Sequence, residues 1–275
     1  MVNLNDKTIL VTGASDGIGK QTALELAGRG ARVLLHGRDR QRLERTQENI
    51  QKATSSENLG LYLADFSSLA EVQRMAQEIL DQEERLDVLV NNAGVYTPKP
   101  SLSVEGYELS FAVNHLAHFL LTMLLLDLLK ASAPARIVVV ASTAHSSRDI
   151  DYQNLRSVKS TSRWYAYERS KLANILFTYY LADQLQGSGV TANCLHPGAV
   201  DTKMLRSAFP SMHGISIEEG AATSVYLASA PDAEGVSAKY FRRNQPASSS
   251  PITYDKQAQQ RLWSFSQEAV ADFLK

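Results

Sequence analysis

Tyr167 and Lys171 stand four residues apart in Tyr167-Glu168-Arg169-Ser170-Lys171. On a helix that spacing places both side chains on one face. An ammonium beside a phenol favours the phenolate and should draw its pKa down from about 10, which makes the phenol a usable acid or base near neutral pH. Ser142 follows an apolar run and can donate a hydrogen bond to a substrate oxygen. Asn114 lies in Val113-Asn114-His115-Leu116, inside an otherwise apolar helical stretch. An exposed helix pair and a loop serine are each common, so any chemistry here rests on these groups converging.

A second feature supplies the reason to expect convergence. Val11-Thr12-Gly13-Ala14-Ser15-Asp16-Gly17-Ile18-Gly19 follows an apolar run and precedes a helical pattern. Glycines in such a turn let an anion approach the backbone, and the helix start beyond it offers free N–H groups and a positive dipole end. The stretch reads as a pyrophosphate cradle for a dinucleotide. Its spacing is G-x-x-x-G-x-G, not the general G-x-G-x-x-G fingerprint.

Alternating strand and helix patterns must position these groups. Strands are predicted at 8–11, 32–35, 59–63, 88–90, 136–140, 190–195 and 239–241. Helices are predicted at 17–29, 39–52, 69–84, in two segments over 104–130, and at 167–185 and 218–228. This alternation implies an α/β fold: one Rossmann-type, doubly wound parallel sheet with helices on both faces. Asn91-Asn92-Ala93-Gly94, Ser142 and Pro197-Gly198-Ala199-Val200-Asp201-Thr202 all fall just past strand ends, beside the glycine turn. Residues 1–241 read as the catalytic domain, with 202–216 an irregular lid and 149–163 a second irregular stretch. Residues 242–275 read as a tail: a Pro/Ser-rich segment, then a helix over 255–273 that docks on the domain or meets a partner.

The chain has 275 residues, 28 basic against 29 acidic, and 44% hydrophobic residues. This is a soluble globular composition with no basic stripe for nucleic acid. The N-terminus lacks the pattern of a signal peptide, and the most apolar run, 119–129, is too short to span a bilayer. A cytoplasmic protein without a membrane anchor is expected. The single cysteine, Cys194, excludes an internal disulfide and reads as a core residue.

Taken together, Thr12-Gly13-x-x-x-Gly17-x-Gly19, Asn91-Asn92-Ala93-Gly94, Asn114, Ser142, Tyr167-x-x-x-Lys171 and Pro197-Gly198 resemble the classical short-chain dehydrogenase/reductase family in order and spacing, over roughly residues 5–241. Asn114-His115-Leu116-Ala117-His118-Phe119, Ser170-Lys171-Leu172-Ala173-Asn174 and His196-Pro197-Gly198 resemble its retinol dehydrogenase-like branch. The resemblance implies hydride transfer between a nicotinamide cofactor and a carbonyl or alcohol carbon. It makes Tyr167 the proton donor in reduction, with Lys171 lowering its pKa and holding the nicotinamide ribose. Ser142 would hold the substrate oxygen, and Asn114 would position a relay water. Gly13, Ser15, Asp16, Gly17, Ile18 and Gly19 would shape the phosphate turn. Asp65 and Phe66 would lie at the adenine, and Asn91, Ala93 and Gly94 along the adenosine ribose. Pro197, Gly198, Val200 and Thr202 would lie at the carboxamide.

The second strand ends His36-Gly37-Arg38, without the carboxylate that an NAD site places there. Arg38 can pair a 2′-phosphate with its fork, so NADP(H) is expected ahead of NAD(H). His36 is expected nearby. His115 and His118 are expected in packing rather than in a metal site. His145 is expected either to border the substrate or to be a loop residue. The expected substrate is an apolar ketone, aldehyde or alcohol, and the expected assembly a homodimer through the long helices, 167–185 included. The alternative is a non-catalytic NADP(H)-binding regulator of the same fold. A sugar-nucleotide epimerase is disfavoured by the lack of a separate substrate domain.

Overall fold

The computed structural model describes residues 2–97, 99–145, 148–159 and 162–275. Ser160 and Thr161 of the second irregular stretch lie outside the described residues, as does Met1. The elements in chain order are β1 (Thr8–Val11), α1 (Gly17–Ala27), β2 (Arg32–Gly37), α2 (Arg40–Thr54), β3 (Leu59–Leu63), α3 (Leu69–Gln82) and β4 (Val88–Asn91). Then come α4 (Leu109–Phe111), a π-helical turn (Ala112–Leu116), α5 (Ala117–Leu124), α6 (Leu126–Ala131) and β5 (Ala135–Val140). The rest are α7 (Arg163–Gln184), β6 (Val190–His196), α8 (Lys203–Ala208), α9 (Ile217–Ser229), β7 (Tyr240–Arg242), β8 (Gln245–Ala247) and α10 (Lys256–Val270).

The strands form one sheet in the order β3-β2-β1-β4-β5-β6-β7-β8. All pairings are parallel except β7 with β8. The strand order reverses between β1 and β4, and in such sheets the crevice outside that reversal receives the ligand. The turn after β1 and the Asn-Asn-Ala-Gly turn after β4 flank it. One face of the sheet is covered by α3, α5, α7 and α10, the other by α1, α2 and α9. Strands buried on both faces read as unbroken apolar runs. Ile9-Leu10-Val11 and Ile137-Val138-Val139 are cases, all nearly inaccessible.

Three departures from the sequence reading matter for the site. β2 runs two residues further than predicted, because His36 and Gly37 pair with Tyr62 and Leu63 of β3. The predicted irregular lid contains a helix, α8, whose N-cap is Thr202. The tail adds the unpredicted antiparallel strand β8, after which α10 lies across α7 and the π-turn.

α7 is buried almost all round, as a helix without a polar face must be. Trp263 of α10 packs on Phe119, Phe177 and Tyr180, at ring separations of 5.0, 6.2 and 4.8 Å. This face of α7 is thus filled by the chain itself. Among the described residues no helix is long and apolar enough to cross a membrane.

Candidate active site

The glycine turn is held by β4 and its following turn. Thr12, fully buried at the end of β1, accepts through Oγ1 the N–H groups of Asn92 (2.8 Å) and Ala93 (2.9 Å). Asn92 Nδ2 donates to the Thr12 carbonyl at 2.7 Å. A Cβ on Gly19 would lie 2.3 Å from the Gly13 carbonyl oxygen and 2.4 Å from Asn92 Nδ2, so only glycine lets α1 start this close to the turn. Asp16 caps α1 by accepting the Gly17 N–H, and its carboxylate pairs with Arg42 and Lys203, both at 2.8 Å. Burial works to raise the Asp16 pKa. The Lys203 hydrogen bond, the Gly17 N–H and the charges of Lys203 and Arg42 outweigh it and hold the carboxyl below its ordinary value. Ile18 is half-buried beside the turn, and the Thr202 methyl lies against Gly17.

His36 does not reach the cofactor lip. Its ring is buried and stacked on Phe66 at 4.2 Å. Nδ1 accepts the Gly13 N–H at 3.2 Å, and Nε2 donates to the Ala64 carbonyl at 3.1 Å. Burial, opposed by the Ala64 hydrogen bond, lowers its pKa to about 4, so the ring is neutral and shapes the turn from beneath. Phe66 is correspondingly turned inward, between His36 and His118, rather than towards an adenine. The Asn91 side chain also points into the core, where Nδ2 donates to Thr122 Oγ1 at 2.9 Å. The Val200 side chain is buried against Gly220, so only its backbone can face the cleft.

Arg38 is where the sequence placed it. Its side chain is 69% exposed just past β2, with Asp65 at 4.0 Å. Ser15 lies against Gly37 on the same lip. Pro197 and Gly198 line the turn after β6, and Ala93 and Gly94 the turn after β4; all four are half-buried.

Three of the four predicted catalytic residues, Ser142, Tyr167 and Lys171, come together, and Asn114 stands behind them. Ser142 Oγ accepts the Ala144 N–H at 3.0 Å, and the hydroxyl stands close enough to the Tyr167 phenol to work against the rise of its pKa. Lys171 Nζ sits 5.6 Å from the centre of the Tyr167 ring and donates to the Val140 carbonyl at 2.9 Å. The Lys171 side chain is buried, which lowers its pKa to about 8. The phenol is not lowered as the sequence suggested. Burial raises it to about 12, against the Ser142 hydroxyl, and Tyr96 raises it further.

Asn114 sits at the centre of the π-turn, where Ala117 donates five residues back to Ala112. Its side chain is fully engaged. Oδ1 accepts from the Val95 N–H at 2.7 Å, and Nδ2 donates to the Val95 carbonyl and to Ser170 Oγ at 3.0 and 2.9 Å. It therefore clamps the Gly94–Val95 loop to α7 rather than pointing into the cleft.

Several contributors were given no site role by the sequence. Thr12, Asn92, Ser170 and His118 form the lattice behind the cleft; His118 Nδ1 donates to the Asn114 carbonyl, and Nε2 lies 3.1 Å from Thr12 Oγ1. Tyr96 packs edge-on against Tyr167 at 5.5 Å and lies 6.1 Å from Phe209, which meets Trp164 at 5.8 Å. A groove on this side is lined by Ala208, Phe209, Pro210, Ser211 and Met212. His115 packs under α10, and among the described residues no group of metal-binding side chains gathers. His145 faces the tail rather than the groove.

Residues 7–213 match the short chain dehydrogenase family. Retinol dehydrogenase 14 of Mus musculus is 43% identical over 289 residues, covering 97% of this chain and 86% of its own. A solved structure from Mycobacterium paratuberculosis superposes with a TM-score of 0.80 at 32% identity, over 98% of this chain and 96% of that one. A short chain dehydrogenase of Escherichia coli CFT073, solved complexed with NADPH, superposes with a TM-score of 0.74 at 30% identity, over 88% and 98%.

Proposed function

The chain belongs to the short-chain dehydrogenase family, and we propose from that premise that it is an oxidoreductase exchanging a hydride between NADP(H) and an apolar carbonyl or alcohol. The observation that carries this reading is the convergence of Ser142, Tyr167 and Lys171 on one point beside the glycine turn. A non-catalytic regulator would have no use for that set.

The residues present fit a phosphorylated dinucleotide. A Cβ on Gly94 would stand 3.3 Å from Asn114 Oδ1 and 3.7 Å from Lys171 Nζ, so the bare glycine keeps open the cradle beside the lysine. Arg38 and Ser15 offer a cation and a hydroxyl at the lip where an NAD site would carry an acid. Gly13, Ser15, Gly17, Gly19 and the start of α1 would hold the diphosphate, Ala93 and Gly94 the ribose, and Gly198 with Thr202 the carboxamide. When bound, the cofactor supplies or takes the hydride at its nicotinamide ring.

The protein's own part is proton and orientation chemistry. Ser142 fixes the substrate oxygen beside the phenol. With its pKa near 12, Tyr167 carries its proton at neutral pH and gives it to that oxygen in reduction. Lys171, held by the Val140 carbonyl, puts its charge next to the phenolate that results. Asn114 holds the loop that completes the ribose side. Tyr96, Trp164, Phe209 and Met212 give the approach an apolar wall, which suits a ketone, aldehyde or alcohol with a greasy or conjugated body and supports carbonyl reductase or retinol dehydrogenase-like chemistry. The balanced charge and a single buried cysteine support a cytoplasmic setting. A homodimer would have to use a surface other than the α7 face that α10 fills.

The test is loss of reduced-nicotinamide absorbance with NADPH or NADH and a panel of carbonyls that includes retinaldehyde and benzaldehyde. Tyr167→Phe should lower kcat by about 10²–10⁴. Equal turnover by wild type and Tyr167→Phe would remove the proton-donor role.

A further inference from the structure

Two histidines stand next to catalytic residues in the chain, and each is bonded to the C-terminal tail. His145, three residues after Ser142, places Nδ1 2.6 Å from the Ser142 carbonyl oxygen. Its Nε2 accepts the backbone N–H of Ser250 at 3.0 Å. One neutral tautomer, with the proton on Nδ1, satisfies both bonds. The ring is set by its edge-on contact with Tyr240 of β7 at 5.7 Å. Ser249, the tail residue before Ser250, is itself anchored, with its hydroxyl 3.0 Å from Tyr179 of α7.

His115 directly follows Asn114 in the π-turn. Its Nε2 lies 2.8 Å from Ser266 Oγ of α10, and both side chains are fully buried. Phe265, beside Ser266, packs on Phe111 and Tyr107 at 6.1 Å from each, at the entry to the same turn. The two contacts span 105 and 151 residues of sequence and reach the two catalytic stretches that lie outside α7.

We propose that the 249–270 segment is part of the active-site scaffold: Ser250, through His145, fixes the backbone that carries Ser142, and Ser266, through His115, fixes the turn that carries Asn114. His145, His115, Ser250 and Ser266 are positioning residues; none touches the reacting atoms. The physical basis is that a small displacement of an orienting group costs turnover more than affinity, because only the transition state requires the final geometry. The inference rests on the site assignment made above, and its test is separable from that assignment.

Ser250 has φ −65° and ψ 148°, which a proline also adopts. Ser250→Pro therefore deletes the N–H at a φ that proline itself adopts. Ser266→Ala removes the partner of His115. Gln267→Ala, on the exposed side of α10, is the control. With NADPH and retinaldehyde or benzaldehyde, Ser250→Pro and Ser266→Ala should each lower kcat roughly tenfold with the KM for NADPH unchanged. Gln267→Ala should behave as wild type.

A second readout needs no turnover. Ser250→Pro should speed amide hydrogen exchange at Thr143 and Ala144, whose N–H groups bond His196 and Ser142 Oγ in the loop that His145 holds. Unchanged kcat in both variants, a rise in the KM for NADPH that matches the loss of kcat, or unchanged exchange in the Ser142 loop would overturn the proposal. Wild-type turnover by Tyr167→Phe would overturn the site assignment instead, and the exchange result would still decide the role of the tail.

Discussion

Thr12→Val tests the lattice behind the cleft most sharply, because it removes one polar atom and keeps the shape of the side chain. Thr12 Oγ1 accepts from two backbone amides and lies within hydrogen-bond distance of the Val90 carbonyl (3.2 Å) and His118 Nε2 (3.1 Å). In the variant the Asn92 N–H keeps a bond to the Val90 carbonyl at 3.0 Å. The Ala93 N–H and His118 Nε2 lose the Thr12 hydroxyl. Each buried polar group left unpaired costs about 1–3 kcal/mol, and Ala93 is only half-buried, so the sum is about 2–4 kcal/mol. Urea unfolding followed by the fluorescence of Trp164 and Trp263 measures it. Thr12→Ser keeps the hydroxyl and should restore most of the loss. The affinity for NADPH should fall with the stability in Thr12→Val, since the Ala93–Gly94 turn loses its anchor. Stability of Thr12→Val within about 0.5 kcal/mol of wild type would show that the hydroxyl does not hold the turn.

Two further outcomes follow from the lip and from the buried histidine. Arg38→Asp should raise the KM for NADPH by about 10–100-fold, the worth of a charge-assisted bond, and move preference towards NADH; an unchanged ratio of the two cofactors would exclude Arg38 as the phosphate reader. His36 is held at about 4 in the folded chain against 6.5 when free, so the unfolded chain takes up its proton first. Its contribution is therefore complete above pH 6.5 and is lost as pH falls towards 4, and the urea midpoint should decline over that window with a shallower slope in His36→Gln.

The frame was legible because this sheet is buried on both faces: unbroken apolar runs mark the strands, and glycine turns mark their ends. The Tyr167–Lys171 spacing gave the helix face, and the Gly13–Gly19 spacing the kind of cradle. What the residue types did not carry was direction. Asn91 closes a strand whose neighbours are apolar on either side, so no alternation told which way its amide would turn. The π-turn at Asn114 is a slip in hydrogen bonding that leaves no mark in composition. His36 follows an apolar strand, as a phosphate-binding residue would, and only the stacking of Phe66 from β3's far end shows it to be buried. The phenol of Tyr167 departs from the spacing for the same reason: a lysine charge is read from the four-residue interval, whereas the burial that raises the phenol is tertiary. The lid helix and β8 are too short to impose a period.

The antiparallel strand β8 has a consequence for how the molecule tolerates crowding. A parallel sheet ends in unpaired backbone groups that can template another chain. Here the last rung contains Pro246, which has no N–H to offer a newcomer. At the opposite margin, Arg74 donates to the Leu63 carbonyl at 2.5 Å and Gln47 Nε2 to that of Leu59 at 3.4 Å, so side chains occupy acceptors that a docking strand would need. Both ends of the ladder are stopped from within the chain, and growth of the sheet from one molecule into the next is opposed on either side.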